Sequence, residues 1–378
     1  MTDYDLIIIG AGIHGAAVAR AASYDGYKVC VLEQYPQPAL ATSCHSSKLI
    51  HGGLRYLESF QFSLVKECLH ERKSLLKIAP HLIKLVPFYI PVYKHNTRPG
   101  WLIFIGLCLY RLLGGGKFRK IPSSKWNQLD GININHLKSV YQYYDGQTND
   151  QELTRAVLND AIQQGAIFKP EHKVTHIHAQ PERIVIQADN STTLSCKILI
   201  NASGPWVNKI LEQTTPAIDE LPIDLVQGTH IVLPRQLHKG IYYIEASDKR
   251  VVFAIPWQKH CLVGTTETIF DQLVENCQPL ADEIDYLLTV WNQTFNDGLQ
   301  AADIIESFAG LRVLPTSDDS AFRRKRDTNL HHPNPKIISI VGGKLTAHRA
   351  TAESVMKLVH KQLPGYKFSD TSNITLNT

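Results

Sequence analysis

The sequence predicts an α/β protein in which a unit with a parallel sheet is interleaved with an α+β unit that has an antiparallel sheet. Two observations predict this fold. Within residues 5–33, an apolar strand pattern, a glycine-rich turn, a helix pattern and a second strand pattern follow one another, which is typical of a parallel sheet. Between residues 222 and 266, four β-rich segments are separated only by turns, which favours antiparallel pairing.

The N-terminal turn has the spacing of a dinucleotide site. Residues 5–9 read DLIII, a run typical of a strand covered on both faces, and Gly10, Gly12 and Gly15 follow in GAGIHG. In a Rossmann-like unit these glycines permit a tight turn, the close approach of a pyrophosphate and close packing of the helix. The helix N-terminus then offers N–H groups to the pyrophosphate. Glu33 closes the second strand, where it can accept hydrogen bonds from ribose hydroxyls.

Only one such unit is visible in the sequence. The glycines at 114–116 follow an apolar helix pattern instead of preceding one, so they predict a loop. An enzyme that passes electrons from NAD(P)H to a flavin usually needs two nucleotide sites. If the chain binds a flavin, we therefore expect its electrons to come from an organic substrate.

Composition narrows the function classes. The chain has 378 residues, of which 44% are hydrophobic and 20% charged, as in a globular protein of about two domains. The formal net charge of +4 is too small to indicate nucleic-acid binding, but it suits an acidic substrate. The seven cysteines contain no Cys-x-x-Cys pair, so we expect reduced thiols in the cytoplasm and no bound metal. The basic run at 323–326 is interpreted as a solvated loop.

A second segment, 41–58, is dense in groups that bind phosphates. It reads ATSCHSSKLIHGGLRYLE, with hydroxyl, lysine, histidine and arginine side chains. Gly52 and Gly53 let the backbone come close to a flat or bulky group. The residues alone suggest an anion and isoalloxazine site and leave other interpretations open.

This segment resembles the signature of FAD-dependent glycerol-3-phosphate dehydrogenases of the respiratory, quinone-linked type. Those enzymes belong to the D-amino-acid-oxidase-like flavoprotein superfamily. The resemblance continues in ordered blocks along most of the chain, among them NASGPWV (201–207), GTTET (264–268), GLRVLP (310–315) and GGKLTAHR (342–349). So many blocks in order make the resemblance specific, and it implies a D-amino-acid-oxidase-like fold.

We expect two interleaved domains in this fold. The FAD-binding domain would take residues 1–85, 145–215 and 305–365. The substrate domain would take residues 86–144 and 216–304, and residues 366–378 would form a C-terminal tail. The resemblance also implies that the C-terminal helical domain of the full-length enzymes is missing from this sequence.

For non-covalently bound FAD, the resemblance implies three groups of contacts. The adenosine diphosphate half would be held by Gly10, Gly12, Gly15, Glu33, Val174, Ala202 and Gly204. The ribityl and isoalloxazine side would be lined by Thr42, Ser43, Ser47, Lys48 and Leu49. The pyrimidine end would lie against Gly310, Gly343, Lys344, Leu345 and Thr346, where a helix N-terminus would stabilise the negative charge of reduced flavin.

The implied reaction is oxidation of sn-glycerol 3-phosphate to dihydroxyacetone phosphate. A hydride would pass from C2 to flavin N5, and the electrons would go on to quinone or another acceptor. Because a phosphate dianion in a partly dry site needs several donors, Arg55, Tyr56, Arg312 and Lys344 are the residues expected to bind it. Arg312 also counts as catalytic, together with His230 and, second, His51 as candidates for the base that takes the C2 hydroxyl proton.

Two other functions stay open at this point. One is an FAD-dependent oxidase or dehydrogenase of another small anion, such as a 2-hydroxy acid or an amino acid. The other is a flavin-binding tRNA-modifying or regulatory protein without small-molecule turnover, against which the modest charge weighs.

The apolar stretch 101–113 also allows two interpretations. We expect a buried helix. The alternative is a helix resting on a membrane surface, because basic residues flank the stretch. The expected location is therefore cytoplasmic, with peripheral contact at the inner face of the cytoplasmic membrane as the alternative, and a homodimer is left open.

Overall fold

Two β-sheets carry the fold in the part of the chain that the computed structural model describes, residues 3–317 and 328–376. The basic run at 323–326, interpreted above as a solvated loop, lies outside the described residues. The helices are α1 (Ile13–Tyr24), α2 (Phe62–Ile78), α3 (Gly100–Tyr110), α4 (Asp150–Gln163), α5 (Val207–Glu212), α6 (Ala281–Thr294) and α7 (His348–Gln362).

The first sheet is parallel at its centre. Its strands are β1 (Tyr4–Ile9), β2 (Val29–Leu32), β7 (Ile167–Lys169), β8 (Val174–Ala179), β9 (Ile184–Ala188), β10 (Thr193–Asn201), β11 (Thr214–Thr215), β18 (Asn329–His331) and β19 (Ile337–Val341). Strand β1 lies between β2 and β10 and runs parallel to both. Every residue of β1 is buried, as predicted for a strand covered on both faces. The alternating pattern of residues 173–178 and 184–188 predicts a hairpin, and β8 and β9 form it.

Helices α1, α4 and α7 cover one face of this sheet. The small residues Ala16, Ala19 and Ala22 of α1 are fully buried, so that α4 and α7 can both pack closely on this helix. Apolar residues at helical spacing predict a helix over 149–165. The structure confirms it as α4, whose first turn is capped by the side chain of Asn149. The glycine turn joins β1 to α1, so it lies at the carboxyl end of β1, the end of a parallel sheet at which ligands bind.

The second sheet is mostly antiparallel. Its strands are β3 (Leu49–Ile50), β4 (Ile83–Tyr93), β5 (Arg119–Ile121), β6 (Leu137–Thr148), β12 (Ile223–Leu233), β13 (Ile241–Glu245), β14 (Val251–Trp257), β15 (His260–Gly264), β16 (Thr268–Phe270) and β17 (Glu306–Pro315). The predicted antiparallel strands between 222 and 266 are confirmed. Strand β17 pairs with β12 over its whole length, although the proposed domain division groups residues 305–365 with the first sheet.

Helix α3 lies on the surface, so the prediction of a buried helix is wrong. Only Leu107 and Tyr110 of its residues are buried. Large apolar side chains face outward instead, with exposed fractions of 65% for Trp101, 49% for Phe104 and 47% for Ile105. None of the helices within 3–317 and 328–376 has the length and apolar character needed to cross a bilayer.

Candidate active site

A cavity of ≈ 730 Å³ is lined by residues from both sheets. Its walls include the glycine turn after β1, the segment 42–56, strand β17 and the turn that precedes α7. A cavity of this size lies in the range of small-molecule and cofactor sites, which is roughly 300–1,000 Å³. The predicted site residues can therefore be compared within one cavity.

Most of the residues expected to bind the cofactor or substrate line this cavity. They are Gly10, Gly12, Glu33, Thr42, Ser43, Ser47, Leu49, His51, Arg55, Tyr56, Val174, Ala202, Gly204, Gly310, Arg312, Gly343, Lys344, Leu345 and Thr346. Gly15, Lys48 and His230 are not among the lining residues. Each of these three has a physical reason for its position, given below.

The glycine turn brings the backbone of β1 close to that of β10. Gly10 has φ +100°, and a Cβ there would lie 2.6 Å from the carbonyl oxygen of Ala202. A Cβ on Gly15 would lie 1.9 Å from the carbonyl oxygen of Gly10, so Gly15 serves the packing of α1 and not the cavity wall. Helix α1 has Gly12 as its N-cap, and Oγ of Ser43 accepts the N–H of Ile13, the first residue of the helix, at 2.9 Å. The N-terminus of a helix attracts an anion.

Glu33 is fixed by the backbone beside this turn. Its Oε2 accepts a hydrogen bond from the N–H of Ala11 at 2.7 Å, and its Oε1 accepts one from the N–H of Tyr35 at 3.0 Å. Burial raises the pKa of Glu33, while these hydrogen bonds oppose the shift. Since each carboxylate oxygen can accept a second hydrogen bond, the predicted contact with ribose hydroxyls stays geometrically feasible.

The loop 41–48 is held by Asp150, the first residue of α4. Asp150 accepts hydrogen bonds from the N–H and the hydroxyl of Ser46, and it forms a 2.6 Å ion pair with the ammonium of Lys48. Lys48 is therefore neutralised and turned away from the cavity, although the sequence predicts it beside the cofactor. Ser47, its neighbour, does line the cavity.

Two more glycines lie in the cavity wall, one beside the loop 41–48 and one beside the glycine turn. A Cβ on Gly310 would lie 2.7 Å from the Cβ of His45, and a Cβ on Gly343 would lie 2.5 Å from Nε2 of His14. Burial lowers the pKa of His14 to about 4, so this cavity-lining histidine is neutral near pH 7. Its Nδ1 has no hydrogen-bond partner among the described residues, which suits contact with a bound ligand.

A chain of charged and aromatic groups lies on the substrate side of the cavity. The ammonium of Lys344 sits 3.7 Å from the ring centre of Tyr56, and the guanidinium of Arg55 lies 5.6 Å from the same centre. Oε1 of Glu267 lies 3.8 Å from Nη1 of Arg55 and 3.7 Å from Nη1 of Arg312. The three predicted cations are therefore brought together, as anion binding requires.

Sequence reasoning missed Thr265 and Glu267 in this cluster. Both line the cavity, and Nη2 of Arg312 donates a hydrogen bond to Oγ1 of Thr265 at 3.0 Å. The signal was present in the GTTET block, because residues two apart in an extended segment face the same side. A carboxylate is an unexpected member of a site that binds anions. A search for positively charged residues therefore does not find Glu267.

The two candidate bases differ in their access to the cavity. His230 is fully buried, its Nε2 lies 2.9 Å from Oγ of Ser47, and its ring stacks on Phe308. Burial lowers its pKa well below the usual range. His51, in contrast, lines the cavity, and its backbone N–H donates to Oγ1 of Thr346 at 3.2 Å. Of the two, His51 is therefore the one that reaches the cavity wall.

A buried carboxylate supports the segment that carries Thr265 and Glu267. Glu283 of α6 accepts hydrogen bonds of 2.5–2.8 Å from Thr229, Thr266, Thr268 and Gln227. Burial alone would raise the pKa of Glu283, but these four donors together lower it. The network therefore fixes the GTTET segment against β12 through an ionised group.

Replacing Glu283 with glutamine should lower the free energy of unfolding by about 2 kcal/mol, since an amide satisfies these donors poorly. Urea unfolding at pH 7 measures the loss, with the exposed Asp282→Asn on the same helix as the control. Because the folded pKa is lowered, the stabilisation is present above the usual pKa of 4.5 and is lost as pH falls through the folded pKa. A variant as stable as the wild type would contradict this role.

The residues present fit FAD. The glycine turn admits a pyrophosphate, Gly310 and Gly343 line the cavity where close packing on His45 and His14 allows no Cβ, and His14 offers a buried, unpartnered ring nitrogen. A parallel sheet with such a turn, joined to an antiparallel sheet that completes the cavity, defines the class of FAD-binding oxidoreductases with a D-amino-acid-oxidase-like fold. The chain belongs to the FAD-dependent oxidoreductase (DAO) family, whose model matches residues 5–349. The predicted fold and cofactor are confirmed.

Named relatives narrow this class further. The chain is 35% identical to the aerobic glycerol-3-phosphate dehydrogenase of Escherichia coli (strain K12), over 94% of this chain and 73% of the relative. It is 34% identical to the D-erythritol 1-phosphate dehydrogenase of Brucella abortus (strain 2308), over 93% and 72%. The FAD complex of the Bacillus halodurans glycerol-3-phosphate dehydrogenase matches with a TM-score of 0.75 and 26% identity, over 99% of this chain and 67% of that one.

Proposed function

We propose that this chain oxidises sn-glycerol 3-phosphate to dihydroxyacetone phosphate. The observation that carries the proposal is that Arg55, Arg312 and Lys344 lie with His51 in the wall of one cavity that also contains the glycine turn. Relatives named glycerol-3-phosphate dehydrogenase, at 35% and 36% identity, support the same substrate. FAD, when bound, supplies the acceptor for the hydride that leaves C2.

The charge of the described cluster matches a phosphate dianion. Arg55, Arg312 and Lys344 contribute three positive charges and Glu267 one negative charge, which leaves two positive charges. A guanidinium binds two phosphate oxygens at once, whereas the ammonium of Lys344 acts as a point charge. Glu267 holds the two arginines beside one another, because its Oε1 lies within 4 Å of both. A substrate with a single carboxylate would leave one positive charge of this cluster without a partner.

His51 is proposed to take the proton from the C2 hydroxyl. Its backbone is held at both ends of the residue by Thr346, whose hydroxyl meets the N–H of His51 at 3.2 Å and its carbonyl oxygen at 3.4 Å. These two contacts fix the position of the His51 backbone, from which the imidazole extends, in the cavity wall. A base held in place in this way avoids the entropy cost of finding its position during the reaction.

Anaerobic titration of the FAD-loaded protein tests the proposal. Glycerol 3-phosphate should bleach the flavin absorbance, while L-2-hydroxyglutarate and glycine should not. D-erythritol 1-phosphate, the substrate in the name of one relative, is a third arm that measures tolerance of a longer polyol. Bleaching by the hydroxy acid or by glycine alone would support an oxidase of another small anion, and no bleaching by any of them would overturn an enzymatic function for this site.

Helix α3 is proposed to rest on an anionic membrane surface, with quinone as an electron acceptor there. Its exposed apolar side chains (Trp101, Phe104, Ile105) are followed by the exposed bases Arg111 and Lys117, a pattern that suits an interfacial helix. Peripheral contact of a cytoplasmic protein with the inner face of the membrane follows from this. The homodimer stays a prediction.

Substituting Phe104→Asp together with Ile105→Asp should lower binding to vesicles that contain anionic lipid by about tenfold, because two exposed apolar side chains that would insert into the lipid are replaced by charges that the lipid repels. Vesicle co-sedimentation measures this. The matched control is Ile162→Asp with Ile167→Asp, two exposed apolar residues outside α3, which should bind like the wild type. Equal binding by both pairs would argue against α3 as the contact surface.

A further inference from the structure

We propose that Tyr110 is a positioning residue for the reaction, because its buried hydroxyl fixes the turn at Gly52 and thereby His51. Tyr110 ends the surface helix α3 and makes no contact with the cavity. This inference rests on the proposed function, since it concerns how the proposed base is held. Its test below is chosen so that the two can fail separately.

The hydroxyl of Tyr110 is the centre of a buried hydrogen-bond chain. It accepts the backbone N–H of Gly52 at 2.9 Å and donates to Oδ2 of Asp145 at 2.5 Å. The other carboxylate oxygen of Asp145 pairs with Nη1 of Arg72 at 2.5 Å. Nη1 of Arg72 also donates to the carbonyl oxygen of Tyr144, and its Nη2 donates to that of Gly114. Each group in the chain therefore has a partner on both sides, although Nε of Arg72 has none among the described residues.

The chain lies in a place where water offers no substitute. Tyr110 and Asp145 are each 1% exposed, and Gly52 is buried. A buried N–H that loses an acceptor costs free energy comparable to a lost hydrogen bond. Asp145, which also interacts with the N–H of Gly52, is the acceptor that remains, so we expect the backbone at Gly52 to shift toward it. The contact is also sterically specific, because a Cβ on Gly52 would lie 2.4 Å from the Tyr110 hydroxyl oxygen.

The Gly52 turn carries the proposed reactive groups. His51 precedes Gly52 directly, and Gly53 adopts φ +73° before the 3-10 helix Leu54–Leu57, which holds Arg55 and Tyr56. Thr346 fixes the His51 side of the turn, and Tyr110 fixes the Gly52 amide from the opposite side. Since small displacements of a reacting group cost large factors in rate, the Tyr110 hydroxyl acts on the reaction without touching substrate.

Tyr110→Phe removes only this hydroxyl and is the direct test, made on the FAD-loaded protein. Hydrogen–deuterium exchange of the peptide that contains residues 50–57 should become about tenfold faster. The limiting rate of anaerobic flavin reduction by glycerol 3-phosphate should fall about tenfold to a hundredfold. The half-saturating concentration should change by less than about threefold, since the phosphate-binding cations remain.

The matched control is Tyr93→Phe. Tyr93 is also a buried tyrosine, but its hydroxyl has no hydrogen-bond partner among the described residues, so this variant should match the wild type in exchange and rate. If Tyr110→Phe folds poorly, Gly52→Ala breaks the same contact from the other side and should give the same local exchange and the same loss of rate.

The outcomes separate the two ideas. Suppose that the wild type is reduced by glycerol 3-phosphate, and that Tyr110→Phe and Gly52→Ala both keep wild-type exchange and reduction rates. Tyr110 then has no positioning role. If the wild type itself is not reduced, the proposed function fails, while faster exchange in Tyr110→Phe still establishes that the hydroxyl fixes the turn.

Discussion

Replacing Arg312 with alanine is expected to lower kcat/KM for glycerol 3-phosphate about a thousandfold, with FAD still bound. The guanidinium lies in the cavity wall on β17, held by Thr265 and Glu267. Removing it deletes charge-assisted hydrogen bonds to the phosphate and leaves Glu267 facing that phosphate with one cation fewer. A loss of about 4 kcal/mol in transition-state binding corresponds to this factor.

Steady-state kinetics and the flavin content of the purified protein together measure this result. Arg235→Ala is the control, because Arg235 pairs with Asp297 and does not line the cavity. It should keep wild-type kcat/KM. Arg312→Lys should recover only part of the activity, since an ammonium cannot make the bidentate contact. An Arg312→Ala enzyme with unchanged kcat/KM would remove Arg312 from the substrate site.

Replacing His51 with asparagine is expected to slow flavin reduction by glycerol 3-phosphate about a thousandfold, because a general base contributes roughly 10²–10⁴-fold. His51 lines the cavity beside the cation cluster, and asparagine keeps a polar side chain without the proton acceptor. Stopped-flow absorbance under anaerobic conditions gives the limiting rate directly, separated from substrate binding.

His230→Asn is the matched comparison in the same experiment. His230 is buried behind Ser47, outside the cavity lining, so its loss should reduce the rate by much less than the loss of His51. The reverse order, with His230→Asn the slower enzyme, would restore His230 as the base.

Local patterns were enough to predict most of the fold. The βαβ unit at the N-terminus, the hairpin of β8 and β9, helix α4 and the antiparallel strands between 222 and 266 each have a periodicity or turn signal within a short stretch. Glycine positions were informative for the same reason, since Gly10 adopts a positive φ beside the backbone of Ala202 and Gly343 adopts one beside the side chain of His14. The clustering of Arg55, Arg312 and Lys344 required the family resemblance, because no local pattern links residues so far apart.

The differences between the sequence-based expectations and the structure share one cause, which is that a sequence does not show which residues pack against one another. His230 belongs to β12, whose later residues are buried on both faces, so alternation does not tell which side chains reach a cavity. Lys48 was expected beside the cofactor, but its ammonium pairs with the carboxylate of Asp150, which is over a hundred residues away in the sequence. Helix α3 is apolar, and composition alone does not reveal that other elements leave most of it uncovered.

The tie between Asp150 and the loop 41–48 has a consequence for biosynthesis. That loop is anchored at one end by a residue of α4 and at the other by the hydroxyl of Thr42, which donates to the carbonyl oxygen of Leu311. The wall of the cavity is therefore complete only after strand β17 and the turn before α7 have been synthesised. Since a ligand stabilises only the form that binds it, FAD stabilises the chain only after these later segments have been made and gives no support to shorter nascent fragments.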